Sequence, residues 1–240
     1  MKTSWFFYCI AMVFTGLLSY LYFYTNFNYA LVILGTLILI AVCFRTQVNI
    51  VHIILILFLF TAIELGLLKM IAVFMQEDPA YKKNFMVYLM HFFVDVSVLL
   101  ILRKRVMYSL LFMRRFQPDN WRAIYITYAD ILLYGIYILF IVVDLAAFVE
   151  NLFRNMDYIF GVSEATAKPF WSWNWVYKSY PYAKSILLSC VVTILLATIF
   201  VENQRPEQED DGNDNDNDND NDNDNDNDNE IMHKTDKQSL

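Results

Sequence analysis

The chain has 240 residues, of which 58% are hydrophobic and 17% aromatic, an apolar content far above that of a soluble globular domain. Its net charge of −7 is unevenly divided: residues 202–240 carry 15 acidic and 3 basic side chains, and the remainder 10 acidic and 15 basic. This argues against a soluble domain and against a nucleic-acid partner, because the basic residues flank apolar runs and the acidic tail would repel phosphate.

Lys2 precedes an apolar run at residues 5–24, long enough to cross a hydrocarbon core of ~30 Å. No A-x-A-like cleavage site follows, so the run reads as a signal anchor. A second run, 29–44, is closed by Arg45, and a short loop carrying Gln47 and Asn49 leads to the third, 50–74. Gln76-Glu77-Asp78-Pro79 forms a turn with a helix breaker. The fourth run, 85–102, ends at the densest basic stretch of the chain, Arg103-Lys104-Arg105 through Arg114-Arg115 to Arg122.

Val106 to Phe116 is too short to span, and its apolar residues are bracketed by basic ones. An amphipathic helix lying in the membrane interface is expected, each basic residue being worth about 1 kcal/mol at an anionic surface. Pro118-Asp119-Asn120 offers a turn and an N-cap for the next helix. The fifth run, 124–149, continues as an amphipathic extension carrying Glu150 and Arg154 at i,i+4. Trp171, Trp173, Trp175 and Tyr177 alternate with polar residues and read as an interfacial aromatic belt, with a ligand platform as the alternative. The last run is 183–201.

From Asn213 to Asn229 the tail alternates Asn and Asp strictly, a low-complexity pattern with nothing apolar to bury, so residues 202–240 are expected to be disordered. No EF-hand loop pattern is present. Cys9, Cys43 and Cys190 lie in apolar runs without metal-ligand spacing, and neither a metal site nor a cofactor is expected. The fold class is therefore all-α: a polytopic membrane protein with six transmembrane helices, an interfacial amphipathic segment and a disordered acidic C-terminal tail. With six spans both termini share a side. Lys2, Arg45 and the basic cluster outnumber Lys82, Lys83, Arg154, Lys168, Lys178 and Lys184, which places the N- and C-termini in the cytoplasm of a cell inner membrane.

Ionisable groups within a span cost ~2.5–3.5 kcal/mol at mid-depth, so each needs a partner or a task. They are Glu64 and Lys69 in the third run, His91 and Asp95 in the fourth, and Asp130 and Asp144 in the fifth. The third and fourth runs, joined by a short loop, should be antiparallel neighbours. Counted from Phe74 and Phe85, Glu64 and Asp95 then share a depth of about 15 Å at ~1.5 Å per residue. Glu64 is expected to face His91 and Asp95, while Lys69, about 140° away around the axis, snorkels outward toward Asp144. Such a cluster suits either a proton or cation relay or an interhelical hydrogen-bond network that fixes register. No nucleotide-binding, serine-hydrolase or zinc-protease motif occurs. The expected role is a non-enzymatic membrane scaffold or accessory subunit that binds the lipid bilayer and partner membrane-protein helices. The alternative is a proton- or cation-coupled transporter or channel subunit using Glu64, His91 and Asp95.

Overall fold

The computed structural model describes residues 29–204, together with Val13 and Leu17. The expected first span, 5–24, apart from those two residues, and the Asn-Asp repeat lie outside the described residues. The described chain is helical throughout, without a strand. Its helices are α1 (Tyr29–Cys43), α2 (Val48–Phe74), α3 (Ala80–Arg103), α4 (Arg105–Phe116), α5 (Tyr128–Arg154), α6 (Met156–Phe160), α7 (Glu164–Ala167) and α8 (Trp175–Glu202). Four of them, α2, α3, α5 and α8, are long and apolar enough to cross a membrane, whereas α1 is a shorter apolar helix. Long apolar segments become helices because only a helix satisfies every backbone N–H and C=O within one segment in hydrocarbon.

The largest interface joins α3 to α5, with α8 packed against α5 and α2 against α3. The inward stripes explain this packing. On α3, Tyr88, His91, Asp95, Val98 and Leu102 are buried, and on α5, Ala129, Leu133, Tyr137, Phe140, Asp144, Ala147 and Asn151. On α8 the stripe runs Tyr180, Lys184, Leu187, Val191, Leu195 and Thr198. Each follows the three- and four-residue spacing that keeps side chains on one helix face. Outside the stripes, Leu59, Phe93, Ile131, Leu139 and Ile186 are exposed, which suits a chain solvated by lipid.

Several boundaries differ from those the sequence suggests. α3 begins at Ala80, capped by Pro79, because a proline at a helix start loses no hydrogen bond. α5 begins at Tyr128, since a 3-10 turn occupies Pro118–Ala123 and the cap is Thr127 rather than the expected Pro118-Asp119-Asn120. The Thr127 cap is reciprocal, as the Asp130 carboxylate accepts the Thr127 backbone N–H at 2.8 Å. α5 ends at Arg154, so the expected amphipathic extension is broken before α6. α8 begins at Trp175, eight residues before the expected span, and holds Pro181 within its length. Pro181 cannot donate to the carbonyl four residues before it, yet the helix continues through to Glu202.

At one end of the bundle Lys83 Nζ donates to the Gln76 carbonyl at 2.8 Å and Tyr81 stacks on Tyr158. There Glu150 caps α8, accepting the backbone N–H groups of Val176 and Tyr177, both at 2.8 Å. At the other end Gln47 Nε2 reaches the Ile199 carbonyl at 3.3 Å and Asn49 Nδ2 the Ala123 carbonyl at 2.8 Å. Asn49 is therefore not a loop residue: it sits in the first turn of α2, buried.

Candidate functional site

The polar residues of the stripes meet near mid-bundle. Glu64 lies ten residues from the end of α2, Asp144 ten from the end of α5, and Lys184 nine from the start of α8. At ~1.5 Å per residue these are all about 15 Å from the aromatic end. His91 and Asp95 are one turn apart on α3, which puts both on its inward face.

The contacts form one chain across four helices. Glu64 Oε1 lies 3.1 Å from His91 Nε2, the two being out of line for a hydrogen bond. The other ring nitrogen, Nδ1, is 2.6 Å from the Tyr180 hydroxyl, which donates to Asp144 Oδ1 at 2.8 Å. Lys184 Nζ then joins Asp144 Oδ1 at 2.9 Å to Asp95 Oδ2 at 2.7 Å. Asp144 is wholly buried and Lys184 is 5% exposed. The Phe140 ring lies under the ammonium at 4.8 Å, and Tyr88 meets Tyr180 edge-on at 5.0 Å.

The sequence-selected residues divide accordingly. Glu64, His91, Asp95 and Asp144 belong to this network. Lys69 does not: it is exposed on α2, and Asp144 is held by Lys184 and Tyr180 instead. Lys184, expected in an outer loop, is the cation at the centre. Tyr180 was not singled out for it either. A signal for both existed, because they stand on the same face as Leu187, Val191 and Leu195. Trp171 and Trp173 are half exposed and Trp175 is 84% exposed, while the Trp173 ring packs on Phe153 and Phe170. Tyr177 lies under the Arg154 guanidinium at 4.7 Å.

Three carboxylates here face one lysine and one histidine. Asp95 and Asp144, on different helices, both accept from the single Lys184 ammonium. Asp144 Oδ2 has no hydrogen-bond partner among the described residues. Among those residues no group of three or more His, Cys, Asp or Glu is placed to hold a metal ion. The network can therefore lock helices together or hold a mobile proton.

A second polar cluster lies at the basic end. Arg105, with no exposure at all, donates from Nε to Asp130 Oδ1 at 2.7 Å, from Nη1 to Asn49 Oδ1 at 3.0 Å and from Nη2 to the Tyr125 carbonyl at 2.7 Å. Nη2 also reaches Asp130 Oδ2, so the carboxylate is held at both oxygens. Arg105 is thus removed from the basic surface patch to which the sequence assigned it.

No known protein family, curated protein or solved structure matches this chain.

Proposed function

We propose that the chain is a six-span inner-membrane protein with cytoplasmic N- and C-termini, acting as a non-enzymatic scaffold or accessory subunit whose outer helix faces bind partner helices. The observation that supports this is the network itself. Its members come from four helices, and each contact crosses from one helix to another. Such links fix register, since a helix that slips must leave a charge unpaired. Toward the basic end the seam continues as a layer of aliphatic side chains, Val98, Leu102, Leu133, Val191 and Leu195.

For orientation, Arg103, Lys104, Arg114, Arg115 and Arg122 cluster at the end that would face the cytoplasm. Burial removes Arg105 from that side and Lys184 from the opposite one, so the basic margin is unchanged. Cysteine placed at Arg114 should be inaccessible to a membrane-impermeant thiol reagent in intact cells. Labelling from outside would reverse the topology.

One observation favours a second reading, a proton- or cation-coupled transporter or channel subunit. The fully buried Asp144 leaves one oxygen without a hydrogen bond, beside a helix that contains Pro181. Proteoliposomes loaded with a pH-sensitive dye separate the two. The scaffold reading expects no proton or monovalent-cation flux above protein-free vesicles. Flux that is lost in both Glu64→Gln and Asp95→Asn would replace it with the second.

A further inference from the structure

The basic end carries a cavity that the polar network does not use. It has a volume of about 450 Å³ and lies where α3 gives way to α4, against the start of α5. That is within the usual range for ligand pockets, roughly 300–1,000 Å³. Its lining is Leu102, Val106, Met107, Ile126, Ile131 and Tyr134, with the exposed Arg103 and Lys104 and one carboxylate, Asp130, whose charge is already matched by Arg105. Ile126 is 63% and Ile131 66% exposed, so the apolar wall opens to the side of the bundle rather than into it.

The basic residues around it are not equivalent. Arg105 is occupied by Asp130, while Arg114 and Arg122 stack on Trp121 at 5.0 and 5.9 Å. Arg103 and Lys104 are exposed, and among the described residues neither has a carboxylate within ion-pair distance. An occupant must therefore offer an anion at the rim and hydrocarbon along the wall. A soluble anion would gain nothing from the wall, and a neutral lipid nothing from the rim.

We propose that this cavity is a binding site for an anionic phospholipid, its phosphate between Arg103 and Lys104 and its acyl chains along Met107, Ile126 and Ile131. The site rests on the membrane reading above. It gives the accessory role a specific lipid requirement at the basic face.

The test uses the full chain. Carbonate washing of membranes comes first: if the chain is released, the membrane reading and this site fall together. If it is retained, the protein purified in mild detergent is mixed with phosphatidylglycerol or phosphatidylcholine, and bound lipid is counted by native mass spectrometry. Preferential retention of phosphatidylglycerol is expected. Each basic group contributes roughly fivefold, so R103Q/K104Q should lower that preference about 25-fold. R114Q/R115Q should leave it nearly intact. Met107→Trp, which fills the groove while keeping both charges, should also abolish it. Equal retention of the two lipids would overturn the site alone. So would an equal loss in R114Q/R115Q, persistence in Met107→Trp, or full displacement of phosphatidylglycerol by inorganic phosphate.

Discussion

The two buried polar clusters solve the same problem in different ways. At the basic end one arginine meets one aspartate, and Asn49, Thr127 and the Tyr125 carbonyl supply further hydrogen bonds. Each guanidinium nitrogen and each carboxylate oxygen of the pair has a partner, and charge is balanced within it. In mid-bundle, three carboxylates share one lysine and one histidine, and an oxygen of Asp144 remains without a hydrogen bond. The first cluster is local in sequence, its charged pair being 25 residues apart, whereas Lys184 and Asp95 are 89 apart. A balanced cluster acts as a rivet. An unbalanced one depends on where its protons are, and that is where regulation or transport could enter.

Breaking the balanced cluster should have the largest effect. Arg105→Met leaves the largely buried Asp130 without its counter-charge and takes one of two donors from Asn49 Oδ1, and removing one partner of a buried pair costs about 3–5 kcal/mol. Thermal or denaturant unfolding of the detergent-solubilised chain should register that loss. A change under 1 kcal/mol would mean that water reaches the site, and the rivet description would be wrong.

Lys184→Met should come next, at roughly 2–3 kcal/mol, because a buried carboxylate that loses its cation becomes neutral rather than staying charged. The comparison sharpens in the triple variant K184M/D95N/D144N. With every net charge removed from that part of the network, stability should return to within about 1.5 kcal/mol of the parent, since neutral replacements of buried ion clusters are often tolerated. Failure to recover would show that the charges themselves, rather than their mutual neutralisation, hold α3, α5 and α8 together.

Smaller again is Tyr180→Phe, which cuts the link between His91 and Asp144 while keeping the ring against Tyr88. Interhelical hydrogen bonds in membranes average about 0.6 kcal/mol and reach about 1.7, and the upper part of that range is expected here. Glu150→Gln tests the end of the same bundle. The amide keeps one acceptor for the two N–H groups at the start of α8 but loses the charge that favours a helix N-terminus, so about 0.5–1 kcal/mol should be lost. A loss larger than that of Tyr180→Phe would move the weight of the helix packing from mid-bundle to the aromatic end.

How far the sequence reveals these sites depends on what surrounds each residue. Glu64, His91, Asp95 and Asp144 stand out because a charge inside an apolar run is costly, and counting along the helices gives their depth. Lys184 is hidden by context. It follows Pro181 and a stretch rich in Trp and Tyr, all features of an interface, so it reads as an interfacial lysine at the very start of the last run. Arg105 is hidden by neighbours of the same charge: sequence alone does not say which of three consecutive basic residues turns inward. Burial of Asn49 depends on contacts with Ala123, Tyr125 and Arg105, residues more than 50 positions away, which no local pattern encodes. The helical class and the four long apolar helices are local properties, and those were legible.

The smallest effect belongs to Lys69, and it marks where the mid-bundle cluster ends. This residue lies five positions after Glu64, so its side chain leaves the helix about 140° away, off the seam that Glu64 shares with His91. It is exposed, and among the described residues it has no carboxylate within ion-pair distance. Five residues from the end of α2, its stem can carry the ammonium toward the aromatic end of the bundle. Lys69→Met should therefore change stability by no more than about 0.5 kcal/mol, as is usual for an exposed position away from packing features. A loss above about 1.5 kcal/mol would mean that a carboxylate on a partner helix, or on a segment outside residues 29–204, reaches α2, and the network would then extend beyond the bundle rather than close within it.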